Sequence, residues 1–175
     1  SMKEVVLVSG DSSQSETVRK RIGQEGALTL ERLIKDGEII AVSGGTTLSA
    51  LASALVPMKA DVTVVPSRGG FGERIEHQAN YIAAVMADKV GGIYRMLHIP
   101  DGFSKDAIAL LRRESSDLRE VESLVHCADI LAIGIGEAPL MLRRHQLPAE
   151  VKNARSHRGQ ALAVLADRLQ ALAGH

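Results

Sequence analysis

Tryptophan is absent from the 175-residue chain, and two tyrosines and two phenylalanines are its whole aromatic content. Proteins that hold single-stranded nucleic acid stack bases on aromatic faces, and this sequence offers no such platform. Neither sign of charge dominates, because Lys plus Arg and Asp plus Glu number 21 each. Without a cationic excess there is no field to grip a phosphodiester backbone, which argues against DNA binding by these residues themselves. Cys127 is the single cysteine, so no internal disulfide can form and no thiolate metal set exists, as fits a reducing compartment. No apolar run is long enough to span a bilayer and no signal-peptide pattern opens the chain, so a cytoplasmic protein without membrane contact is expected.

What is present is an ordinary globular balance, 45% hydrophobic and 24% charged, at a length that predicts one domain over residues 1–175. The Ser1-Met2 opening reads as the remnant of a removed tag, and hence as an excised domain. Short β-rich runs alternate with helical spacing. Val5–Val8, Ile39–Val42, Asp61–Val65, Arg95–Ile99 and Ile130–Ile135 read as strands; residues 15–35, 48–55, 77–90, 104–113 and 118–128 read as helices. This alternation predicts an α/β fold, a mainly parallel sheet with helices on both faces and ligand sites beyond the carboxyl ends of the strands. Gln160–Ala173 carries Leu162, Leu165, Leu169 and Leu172 on one stripe, predicting an amphipathic helix in a divergent tail over residues 152–175.

Three loops interrupt this pattern at strand ends. Ser43-Gly44-Gly45-Thr46-Thr47 follows a buried-strand candidate directly. Its glycines free the backbone so that amide N–H groups can converge on an anion at a helix start, and Thr46 and Thr47 add hydroxyls. The same residues also suit a tight turn in which one threonine caps the helix. Pro66-Ser67-Arg68-Gly69-Gly70 places a guanidinium able to fork onto a phosphate, or a plain surface cation, beside a second glycine pair. Gln78 could hydrogen-bond a sugar hydroxyl, or simply be solvated. After Gly136-Glu137, Arg143-Arg144 could meet a second anion or end a helix favourably. Other chemistry is missing: His77, His98, His126, His145, His157 and His175 show no metal-ligand spacing, His126-Cys127 reads as a helix end, and Glu73 and Glu76 read as solvated charges.

The stretches VVLVSGDS, AVSGGTTLSALA, VVPSRGGFGERIEHQANYIAAVMADKVGG, HIPDGF and ADILAIGIGEAPLMLRR together resemble the effector-binding domain of SorC-type sugar-responsive transcriptional regulators over residues 3–151. The resemblance implies a fold like the glucosamine-6-phosphate deaminase, ribose-5-phosphate isomerase and CoA transferase superfamily, holding a binding site rather than a catalytic one. It implies that Gly44, Gly45, Thr46 and Thr47 hold one phosphate of a phosphorylated sugar, with fructose-1,6-bisphosphate as effector of a repressor of glycolytic genes. Arg68, Gln78 and Arg143 would then serve the other phosphate and the sugar. It further implies a homo-oligomer without cofactor or metal, reaching DNA only through a separate N-terminal domain that this chain does not contain. After Val151 the sequence departs from the family pattern, and a phosphate-binding lysine expected there has no counterpart. A sugar-phosphate isomerase or deaminase of the same superfamily is the competing expectation, and a dimerisation module whose glycine loops only turn the chain is the plainest one.

Overall fold

The computed structural model describes residues 4–12, 15–69, 74–99 and 104–135. Gly70, Glu73, Gly136, Glu137, Arg143, Arg144 and the predicted helix Gln160–Ala173 lie outside the described residues. The elements below all belong to the compact unit Ser1–Gly134.

Helix α1 (Glu16–Leu33) starts where the Ser15 side chain accepts from Val18 N at 3.3 Å, and its first turn carries a Glu16–Lys20 ion pair. Gly23, Ala27 and Leu30 recur at helical spacing and form its buried face. The turn at Asp36-Gly37 leads to β1 (Ile39–Val42), then α2 (Thr46–Ala54), β2 (Thr63–Pro66), one 3-10 turn (Ile75–His77) and α3 (Ala79–Val90). Gly91, at φ 74°, ends α3 in the left-handed conformation and delivers the chain to β3 (Ile93–Tyr94). Helices α4 (Lys105–Glu114) and α5 (Ser116–His126) precede β4 (Ile130–Ala132).

The four strands form one parallel sheet in the order β3-β2-β1-β4. Ile40, Ala41 and Val42 of β1 and Val64 and Val65 of β2 are all 0% exposed, so both faces of the central strands are covered. Ile40, Val42 and Val64 pack with Leu30, Leu48, Leu55, Ile82 and Met86 from α1, α2 and α3. Ala41 and Val65 point to the opposite face, where α5 lies with Leu118 and Val121 buried. The α/β fold with a parallel sheet is therefore as the sequence predicts.

Two strand expectations are corrected. Val5–Val8 forms no ladder and Leu7 is 89% exposed; β-branched residues favour extended backbone, but extended propensity alone does not make a strand without backbone pairing. The run instead lines a cavity of about 470 Å3 with Ile22, Leu33 and Leu131. Arg95–Ile99 is not a strand either; β3 lies two residues earlier, and beyond Arg95 the backbone is bonded by a side chain of α3 instead of a neighbouring strand. No helix among the described residues is long and apolar enough to cross a membrane.

Candidate functional site

Chain order reverses at β1, with β2 and β3 to one side of it and β4 to the other. Open parallel sheets take ligands beyond the carboxyl ends of the strands at such a reversal, here past Val42 and Ala132. Ser43 ties the two strand ends together: its amide donates to Ala132 O at 2.9 Å, and its Oγ accepts from Gly134 N at 3.3 Å.

The helix that follows has an unusual start for this protein. Helices α1, α4 and α5 each begin under a serine whose Oγ accepts a first-turn amide: Ser15 from Val18, Ser104 from Ala107 and Ser115 from Leu118. Helices α2 and α3 begin at Gly45 and Gln78 with no side-chain cap. Gly45 N donates to His77 O at 2.8 Å and Gly45 O accepts from Ser49 N at 2.9 Å. The amides of Thr46, Thr47 and Leu48 find no acceptor among the described residues, which leaves the positive end of α2 open. Thr46 and Thr47 are the first two residues of the helix, so neither is its cap.

Gly44 explains its own identity by what surrounds it. A Cβ there would stand 2.7 Å from His77 O, 3.3 Å from Ala79 N and 3.8 Å from Arg68 Nη2. The start of α3 and a guanidinium are thus brought against the start of α2. Gly45, at φ 127°, holds a backbone conformation that side-chain-bearing residues rarely adopt. Arg68 and Gln78 are half-buried and Thr46 is exposed. Among the described residues none of these three side chains has a hydrogen-bond or ion-pair partner, so donors are held at the loop without being consumed. Two helix N-termini and one guanidinium can stabilise a compact oxyanion, most strongly a phosphate.

Of the sequence-predicted residues, Gly44, Gly45, Thr46, Thr47, Arg68 and Gln78 lie on these adjoining loops and helix starts; Arg143 is outside the described residues. Sequence reasoning missed Ser43 and the His77 carbonyl. A serine before a glycine pair is a weak pointer, and a carbonyl has no residue-type signature. His126 and Cys127 end α5 as predicted, and Glu76 pairs with Arg74 at 3.8 Å. Among the described residues no group of His, Cys, Asp and Glu is placed to hold a metal ion.

A doubly covered parallel sheet with an open helix start at its reversal point defines a ligand-binding domain with an anion-ready loop. The chain belongs to the sugar-binding domain family: it matches the family described as "Putative sugar-binding domain" over residues 1–165. It is 38% identical over 151 residues to the central glycolytic genes regulator of Bacillus subtilis (strain 168), covering 85% of this chain and 44% of that protein. To the protein of the same name from Priestia megaterium it is 41% identical over 151 residues, with the same coverage. The chain therefore spans less than half the length of these relatives. A crystal structure described as "the putative SorC family transcriptional regulator from Enterococcus faecalis" superposes with a TM-score of 0.68 at 34% identity, covering 84% of this chain and 61% of that one.

Proposed function

We propose that this chain is the effector-binding domain of a cytoplasmic, sugar-responsive transcriptional regulator, and that its effector is a phosphorylated sugar held at the glycine loop. The carrying observation is the open first turn of α2, with three amides lacking acceptors among the described residues, set beside Arg68. Thr46 and Thr47 would add hydroxyls to one phosphate, and Arg68, Gln78 and Arg143 would serve the other phosphate and the sugar. Fructose-1,6-bisphosphate is the effector proposed, since the chain resembles regulators named for glycolytic genes. Effector binding would alter how subunits of a homo-oligomer associate, and so reach DNA through a separate domain of a glycolytic repressor by linkage.

An enzyme of the same superfamily would need a carboxylate to move a proton beside the sugar carbonyl. The described loop residues, 43–47, 67–69 and 77–79, include no Asp or Glu. This favours a sensor over an enzyme; Glu122, which shares a cleft with Arg68, is already bound by the Arg112 guanidinium at 2.8 Å.

Thermal unfolding of the chain with added fructose-1,6-bisphosphate tests the reading. A ligand at about 100 times its Kd stabilises by about 2.7 kcal/mol, and Thr46→Val or Arg68→Ala should remove most of the shift. A flat titration, or one indifferent to both substitutions, defeats it. Turnover of ribose-5-phosphate or glucosamine-6-phosphate that a single carboxylate substitution abolishes would establish the enzyme instead.

A further inference from the structure

Beside the glycine loop lies a cleft of about 300 Å3, bounded by Ser67, Arg68 and Gly69 on one side and by α4 and α5 on the other. Leu97, Ile99, Val121 and Val125 give it carbon-rich walls. Arg112 also borders it, but both carboxylate oxygens of Glu122 accept from its Nε at 2.8 Å, so that guanidinium is already engaged. Arg68 is common to the cleft and to the surroundings of Gly44. Arg68 thus links the surroundings of the α2 start to this cleft, into which a molecule anchored at the glycine loop could extend.

The Leu97–Ile99 wall is not part of the sheet, and its place is fixed from α3. Asn80 Nδ2 donates to Leu97 O at 2.9 Å while Leu97 N donates to Asn80 Oδ1 at 2.9 Å, a two-way bond that stands in for a neighbouring strand. Asn80 is the second residue of α3, one past Ala79, whose amide lies against Gly44. One helix end thus borders the phosphate cradle and holds the cleft wall at the same time.

We infer that Asn80 is a positioning residue for effector binding: it touches neither phosphate nor sugar, but it sets the wall against which the sugar packs. This rests on the proposed function. The test titrates inorganic phosphate, which fills the cradle alone, and fructose-1,6-bisphosphate, which fills cradle and cleft, following the amide NMR signals of Thr46 and Thr47. Asn80→Ala should weaken the bisphosphate about tenfold, the scale of one or two lost hydrogen bonds, and leave inorganic phosphate unchanged. Thr46→Val should weaken both. Equal losses for the two ligands in Asn80→Ala, as a general structural defect would give, overturn the inference, as does no loss for either. If neither ligand moves the Thr46 and Thr47 signals of the native chain, the proposed function fails and the inference falls with it. Should Asn80→Ala not fold, hydrogen exchange of the native chain decides. The Leu97 amide should be slowed by fructose-1,6-bisphosphate and not by inorganic phosphate, and an equal response to both rejects the role.

Discussion

Gly44 carries the most constrained position in the candidate site, because the space a side chain would need is taken by the His77 carbonyl. In Gly44→Ala the new methyl must push that carbonyl away, and the bond from Gly45 N to His77 O goes with it. The start of α2 then turns relative to that of α3. Calorimetric titration should show fructose-1,6-bisphosphate affinity lowered at least about tenfold, equivalent to about 1.4 kcal/mol, in a chain that still unfolds cooperatively. Unchanged affinity would mean that the two helix starts do not act together. The glycine pair after a buried strand was visible in the sequence, where it suited both a tight turn and an anion-binding loop. What it accommodates was not: the His77 carbonyl belongs to the backbone, and its approach depends on the path of residues 74–78. The threonines illustrate the same limit, for spacing alone left open whether they cap α2 or begin it.

Among the elements, the crossing of α1 and α2 depends on a glycine for the opposite reason. Gly23 sits inside a helix, where glycine costs about 1 kcal/mol relative to alanine, yet a Cβ at that point would lie 2.7 Å from the backbone carbon of Ala50. Helix contact at this distance requires the missing side chain. Gly23→Val should therefore drive the helices apart and destabilise the protein by about 1–3 kcal/mol, despite the better intrinsic helix propensity. Urea unfolding should give a lower midpoint at constant m; an unchanged or higher midpoint would show that α2 can shift at no cost. Most element positions could be read from hydrophobic spacing: residues 39–42 form a strand as predicted, and α1 and α3 fall within about two residues of their expected bounds. The failures at Val5–Val8 and Arg95–Ile99 both come from reading propensity as pairing. Strand propensity is a property of residues, whereas a strand exists only where a neighbour offers free backbone groups; at Leu97 the side chain of Asn80 satisfies them first.

For the whole molecule, the order β3-β2-β1-β4 determines where the site falls, and the pattern of alternating elements pointed only to a parallel sheet with loops on one edge. Which strand ends adjoin depends on pairing partners far apart in sequence, such as Ile40 with Ile130, and no local signal encodes them. Charge balance, by contrast, is a whole-chain property that the sequence carries completely. With 21 positive and 21 negative side chains and neutral histidines, the formal net charge at pH 7 is zero. Non-specific DNA binding draws its free energy from counterions released as cations neutralise phosphates, so a chain without cationic excess gains little from it. The proposed cradle at Gly44–Leu48 would take one compact anion, since its open amides, those of Thr46, Thr47 and Leu48, lie within one helix turn and form no stripe along a duplex. Fluorescence anisotropy with a labelled DNA duplex at pH 7 and physiological salt should therefore show no saturable binding to this chain, and lowering the salt should produce no steep gain. A linear fall of log affinity with log salt, with a slope corresponding to several phosphate contacts, would reveal a basic face that the charge total conceals. That outcome would move DNA recognition into this domain and would require the proposed phosphate cradle to be tested as part of it.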